Sequence, residues 1–173
     1  MMFGELRQFM DGYDIIPITV ENYPDVETVY ASNQDFFLLT EGKHYTKSGI
    51  VESITAVPEG FSLNDKIFAG IWKDGEAIAV LDILSGYPTA GCIWIGLLLV
   101  HGGIQGKSAG TIIATAIFSA AKSARYAEAK LGVIDTNVKG IAFWKKMGFV
   151  QVGVSSTTIG GRQCKVFIFS HVI

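Results

Sequence analysis

The residues with the plainest chemical meaning sit together in one stretch: Gln105-Gly106-Lys107-Ser108-Ala109-Gly110-Thr111, between an apolar run and a long amphipathic one. The run before it, Ile93 to Val100, is broken only by Gly96, which is the composition of a strand buried on both faces. The turn from His101 to Gly110 carries glycines at 102, 103, 106 and 110, so its backbone can come close to a ligand. After it, apolar residues recur at 112, 113, 116, 117, 120, 121 and 124, a helical stripe, with Thr111, Thr115, Ser119 and Lys122 on the other face. Strand, glycine turn and helix start, in that order, build an anion site. The first N–H groups of a helix lack intrahelical partners and carry partial positive charge.

Charge distribution points the same way. Ile83 to Ala127 contains no Asp or Glu, although 16 acids in 173 residues would place about four in 45 positions (16/173 × 45). Helix first turns favour carboxylates, and here that place holds Lys107, as though an external phosphate takes the role. A buried helix start capped by Ser108, with Lys107 in solvent, is the bland alternative. Two familiar phosphate loops fit poorly. A nucleotide P-loop needs glycine five positions before Gly106, where this chain has His101, and among the later strands only Asp135 would suit magnesium. The dinucleotide pattern G-x-G-x-x-G does not occur.

A third pattern fits better. Gln105-x-x-Ser108-x-Gly110 at a strand–helix junction resembles motif A of the GCN5-related N-acetyltransferases, Gln-x-x-Gly-x-Gly, with Ser108 in place of the first glycine. Asp135 to Phe149, DTNVKGIAFWKKMGF, resembles the family's Asn-x-x-Ala-x-x-Phe-Tyr-x-x-x-Gly-Phe block, at the family's spacing. The resemblance spans roughly Asp65 to the C-terminus. It implies a layered α/β fold: a mixed, largely antiparallel twisted sheet of six to seven strands, flanked by about four helices, with one parallel strand–helix–strand cofactor unit. It also implies transfer of an acetyl group from acetyl-CoA to an amine of a small molecule or polypeptide. By analogy, backbone groups of Leu98, Leu99 and Val100 hold the pantetheine arm, and one of their N–H groups polarises the thioester. Gln105, Gly106, Lys107, Ser108, Ala109, Gly110 and Thr111 surround the pyrophosphate, and Asn137 contacts the pantetheine side.

Departures from the family bear on catalysis. Trp144 stands where a tyrosine commonly protonates the departing thiolate, and an indole N–H donates a hydrogen bond without acting as an acid near neutral pH. A general acid is typically worth ~10²–10⁴-fold, and a thiol with pKa near 8.5 is already a tolerable leaving group. The central strand lacks the glutamate that some members use as base. Asp82, inside the apolar run Ala77 to Leu84, and His101, at the strand end, are the catalytic candidates, with a water relay as a third route. A non-catalytic acetyl-CoA sensor, with Trp144 marking lost catalysis, reads the same two blocks differently.

These groups need elements to hold them. Tyr13 to Val20 predicts a first strand and Tyr23 to Ser32 a helix begun near Pro24-Asp25. Residues 33–60 are least regular, with short helical pieces at 35–37 and 51–56, where acetyltransferases usually build the acceptor pocket. Asp65 to Trp72 and Glu76 to Ser85 predict a hairpin across Lys73-Asp74-Gly75. Lys130 to Ile134 reads as a strand parallel to the central one by the right-handed crossover rule. A helix then runs from a cap near Asn137 to Gly148, and Phe149 to Thr158 with Gln163 to Phe169 close the sheet through Gly160-Gly161.

Length suits one domain, 1–173. Only 17% of residues are charged, against about 25% usually, which hints at an oligomer face such as a homodimer. Net charge −2 and pI near 5.9 argue against nucleic acid as the main partner. The start, MMFGELRQFMDGYD, has no apolar signal region and no run is long enough to span a bilayer, so a cytoplasmic protein with reduced Cys92 and Cys164, no membrane partner and no metal site is expected. Acetyl-CoA is therefore expected to raise the thermal midpoint, since a ligand that binds only the native state stabilises it, and Mg-ATP is not. A shift with Mg-ATP alone would restore the nucleotide reading.

Overall fold

The computed structural model describes residues 2–173; Met1 lies outside the described residues. Seven strands form one sheet in the order β1-β2-β3-β4-β5-β7-β6. The hairpin signal at Asp74-Gly75 produces β2 (Lys66–Lys73) and β3 (Glu76–Ser85), with Lys73 opposite Glu76. Short β1 (Asp14–Pro17) lies on the outer edge of β2, and the Ile18 N–H extends the pairing to the Phe68 carbonyl at 2.9 Å. The strand predicted over 13–20 stops there because Asn22 folds back, its Oδ1 accepting from the Thr19 N–H at 2.7 Å. The central strand is β4 (Cys92–Val100), antiparallel to β3 and parallel to β5 (Glu128–Ile134). A final hairpin, β6 (Val150–Ile159) and β7 (Arg162–Val172), attaches through β7 to β5.

Six α-helices flank this sheet, where the sequence suggests about four. The stretch 33–60 condenses into α3 (Gln34–Glu41) and α4 (Lys47–Thr55), and the predicted 23–32 helix becomes a 3-10 turn followed by α2 (Glu27–Ala31). The N-terminal segment, given no element from sequence, forms α1 (Met2–Gln8). Met2, Leu6 and Met10 recur at helical spacing and are all buried. The crossover helix is α5 (Ala109–Ser123) and the helix of the second block is α6 (Val138–Lys146).

Two apolar layers result. On one face of the sheet, α1 and α5 cover Ala69, Ile71, Leu81, Ile83, Ile93 and Ile95. On the other, α2, α3 and α4 supply Val29, Tyr30, Phe37 and Ile50 over Phe68, Val80 and Leu99. The α5 stripe differs from the predicted one in two places: Ile112 is exposed and Ala114 buried. Gly96 is the extra residue of a β-bulge, since Asp82 pairs with Leu97 and Ile83 with Ile95. The bulge switches the side-chain alternation, so Ile93 and Ile95 share a face with Leu98 and Val100. No helix among the described residues is long and apolar enough to cross a membrane. Phe169, on β7, is fully buried where this layer meets α6. Phe169→Ala is expected to cost about 3–5 kcal/mol in denaturant unfolding; a loss below about 1 kcal/mol would show that the layer closes over the gap.

Candidate active site

The site begins where β4 and β5 part. They pair only at Cys92–Glu128, Ile93–Ala129 and Trp94–Lys130, after which β5 continues against β7 alone. From Ile95 onward β4 therefore has a free edge. The His101 N–H bonds to the Ile78 carbonyl at 2.8 Å, so by strand alternation Leu97 and Leu99 turn their backbone to β3. Leu98 and Val100 turn theirs into the opening. Of the three residues assigned to the pantetheine arm, Leu98 thus offers its backbone to the cleft and Val100 its N–H, the Val100 carbonyl being held by Asn33 and Gln105. Leu99 places its side chain in the core instead.

Beyond Val100 a 3-10 turn, Gly102–Ile104, leads to α5. Among the described residues, the N–H groups of Gly106, Ser108, Ala109, Gly110 and Thr111 have no protein acceptor, and the first helical bond is Ile112 N–H to Ser108 carbonyl. Five free donors at the start of a fifteen-residue helix are what an anion site at this place requires. Gln105 and Lys107 take other roles. Gln105 Nε2 donates to Asn33 Oδ1 at 2.7 Å and to the Val100 carbonyl at 3.0 Å, and Lys107 Nζ donates to the Gly103 carbonyl at 3.2 Å. Ser108 does not cap the helix: it makes no side-chain cap and sits in the left-handed region at φ 66°. That conformation explains why glycine suits this place.

Two close approaches shape the loop. A Cβ on Gly102 would lie 2.5 Å from the Ser32 carbonyl oxygen, because the Gly102 N–H donates to Ser32 Oγ at 2.9 Å. A Cβ on Gly110 would meet the Phe143 ring at 3.3 Å, so this glycine faces α6 rather than the anion. Asn33, nearly buried, ties the arrangement together. Its Nδ2 donates to the carbonyls of Val29 at 2.8 Å and Val100 at 3.0 Å while its Oδ1 accepts from Gln105. Sequence reasoning passed over Asn33; its only signal was its position just after a predicted helix.

On the far side of the cleft, Asn137 caps α6, its Oδ1 accepting from the Gly140 N–H at 3.0 Å. Trp144, 8% exposed, points into the core between Phe143 and Phe149, with ring centroids at 4.8 and 5.1 Å. No buried side-chain nitrogen or oxygen among the described residues lacks a partner, so the unbonded indole N–H keeps access to solvent.

The two proposed bases are not brought together. His101 Nδ1 accepts from the Gly103 N–H at 3.1 Å, which leaves the proton of the neutral ring on Nε2, a donor. Asp82 lies further down the sheet on β3, on the face covered by α2 to α4. Lys66 Nζ, missed from sequence, donates to Asp82 Oδ2 at 2.8 Å and to the Ala56 carbonyl at 2.9 Å. The Asp74-Gly75 turn was the available signal, since hairpin register brings Lys66 opposite Leu84, diagonal to Asp82. Burial raises the Asp82 carboxyl pKa above the usual carboxylate range, and the Lys66 ammonium offsets part of that rise.

A cavity of about 230 Å³ opens beside this pair, lined by Ala56, Pro58, Leu84, Tyr87, Trp94 and Gly96 together with Lys66 and Asp82. Tyr87 and Trp94 meet edge to face in its wall at 5.6 Å, and Phe61, outside the lining, packs edge to face on Tyr87 at 5.5 Å. Phe36, Phe37 and Tyr45, also suggested for an acceptor pocket, join the apolar layer instead. The β6–β7 tip leans across toward α3: a Cβ on Gly42 would meet Ile159 at 3.1 Å and Gly160 N at 3.4 Å.

A strand edge left open beside a helix start with free N–H groups suits a ligand that carries both amides and a phosphate. Residues 27–149 match the acetyltransferase (GNAT) family. The chain belongs to that family and is an N-acetyltransferase. Solved structures agree in fold. An acetyltransferase from Thermus thermophilus is 22% identical with TM-score 0.72, covering 93% of this chain and 97% of that one. A probable GNAT-family acetyltransferase from Chromobacterium violaceum is 14% identical with TM-score 0.75, covering 94% and 88%. The ribosomal-protein-S18-alanine N-acetyltransferase from Escherichia coli is 12% identical with TM-score 0.67, covering 93% and 94%. No curated protein matches the sequence.

Ser108→Gly tests the loop geometry. It relieves left-handed strain of about 1–2 kcal/mol and loosens the unfolded chain by somewhat less. Stability is expected to rise by roughly 0.5–1 kcal/mol in denaturant unfolding; a loss of stability would show that the Ser108 side chain contributes more than its backbone costs.

Proposed function

We propose that the chain moves an acetyl group from acetyl-CoA to an amine seated against Asp82. The observation that carries this reading is the placement of Asp82 beside the bulge of β4, next to the free strand edge and at the end of an open cavity. Acetyl-CoA supplies an activated thioester whose thiol, with pKa near 8.5, leaves readily. The backbone donors from Gly106 to Thr111 fit its pyrophosphate, and the Leu98 and Val100 edge fits the pantetheine amides as a strand would. An N–H of that edge polarises the thioester carbonyl, a donor already in place before reaction.

Asp82 takes the proton from the acceptor ammonium. A carboxylate held above its ordinary range is a better base than one in water. Lys66 favours its ionised form and fixes Oδ2, leaving Oδ1 for the amine. Trp144 cannot protonate the leaving group, so the thiolate departs as such and then takes up the second proton that the acylated nitrogen sheds, with the indole N–H available as a hydrogen-bond donor rather than an acid.

Since the base must be ionised, kcat/KM should rise with pH along a limb set by the raised Asp82 pKa and then level off. Burial sets that limb above the ordinary carboxylate range, and the Lys66 ammonium draws it part of the way back. Asp82→Asn should lower kcat/KM by about 10²–10⁴-fold and remove that limb. CoA release followed with a thiol reagent reads both. An Asn variant that keeps the wild-type rate and pH profile would take the role of base away from Asp82.

A further inference from the structure

The residue that opens the cavity to Asp82 is Gly96. It is the bulge residue of β4, exposed, two positions beyond the last pair with β5. A Cβ built on it would stand 3.6 Å from Asp82 Cγ and 3.7 Å from Oδ2. Those are ordinary van der Waals distances, and Gly96 is not among the glycines with positive φ, so neither packing nor backbone strain asks for glycine here. What the missing side chain leaves is room against the carboxylate. That room borders the free edge of β4, where Leu98 turns its backbone into the opening two residues further on.

The rest of the lining limits what can fill the cavity. Ala56, Pro58, Leu84, Tyr87 and Trp94 give it apolar and aromatic walls, and the two rings stand edge to face with their planes 88° apart. The Trp94 ring reaches across β5, its Cζ2 3.6 Å from where a Cβ on Gly132 would lie, and Phe61 backs Tyr87 from outside. Lys66 and Asp82 are the charged residues of the lining, and they neutralise each other at 2.8 Å. The Lys66 side chain, 7% exposed, is also bound to the Ala56 carbonyl, so it has little to offer an anion. A second cation would find no second carboxylate in the lining. At about 230 Å³ the space falls below the ~300–1,000 Å³ of pockets for drug-sized ligands.

We propose that the acceptor nitrogen sits over Gly96 against Asp82, and that the acceptor is a small monoamine whose primary amino group is joined by a short arm to an aromatic ring. It carries no anionic group and no second cation. This deepens, and rests on, the acetyl-transfer reading above. The ring lies against Trp94 and Tyr87, where offset and edge-to-face contacts between ring quadrupoles favour an aromatic body over an aliphatic one. Gly96 sets how near the nitrogen comes to the carboxylate, and Trp94 sets which body the cavity accepts. Both precede the part of β4 that carries Leu98 and Val100, so changes at either are expected to spare acetyl-CoA.

The test follows CoA release with 2-phenylethylamine, spermidine and phenylalanine. Spermidine brings further cations, and phenylalanine adds a carboxylate to the 2-phenylethylamine skeleton. Wild type is expected to use 2-phenylethylamine with kcat/KM at least about tenfold above either of the others. Gly96→Ala puts one methyl into the gap. It should keep the thermal midpoint and its rise with acetyl-CoA, while kcat/KM for 2-phenylethylamine falls about 10²-fold, the cost of a misplacement of about 1 Å. Trp94→Leu keeps an apolar wall without the ring and should raise KM for this amine about tenfold with kcat within about twofold. Equal use of spermidine or phenylalanine would overturn the acceptor class, as would an unchanged KM in the Trp94 variant. An unchanged kcat/KM in Gly96→Ala would take the nitrogen away from Gly96. Wild type that binds acetyl-CoA but releases no CoA with 2-phenylethylamine would overturn the proposal while acetyl transfer stands. Wild type that does not bind acetyl-CoA would remove both.

Discussion

Three residue pairs join β4 to β5, and the site exists because there are no more. In the middle of a sheet, backbone N–H and C=O groups are normally consumed by the next strand. Here β5 leaves β4 after Lys130 and remains with β7 for its whole length. The edge of β4 that results is rigid, since β3 holds its other side, and polar, since Leu98 and Val100 aim their backbone at the opening. The crossover rule then forces α5 to begin at the mouth of that opening, because a right-handed connection between parallel neighbours starts where the first strand ends. Strand edge and helix start therefore come as a pair, one suited to amides and the other to phosphate.

A second constraint fixes the loop between them. The Asn33 amide spans residues far apart in sequence, bonding the Val100 carbonyl and the Gln105 side chain, and Ser32 takes up the Gly102 N–H. Two of the four polar side chains in the motif turn out to support the loop, which leaves the backbone N–H groups open. Gln105 and Lys107 close the turn on itself, and Gly110 makes room for Phe143.

Local patterns account for what sequence reasoning found. Period-two and period-3.6 runs, the Asp74-Gly75 turn, the Asn137 cap and the Gly148 stop are each written within a few residues, and they recovered every strand except for its exact ends. The motif from Gln105 to Thr111 was legible for the same reason, since strand, turn and helix start are contiguous. The short helix at the N-terminus was missed although Met2, Leu6 and Met10 carried its spacing, because seven residues hold too few turns to stand out.

Sequence by itself determined the order of the elements, the parallel crossover and the glycine-rich loop at the start of α5, all of which depend on neighbours along the chain. Only the tertiary structure decided that β5 parts from β4 after three pairs, that Leu99 turns away from the cleft while Leu98 and Val100 face it, and that His101 spends its ring nitrogen on its own loop. It also decided that Trp144 is a core residue, and that Lys66 and Asp82, from neighbouring strands, pair beside the cavity. Burial and hydrogen bonding between distant segments set those outcomes, and no window of the sequence contains both partners.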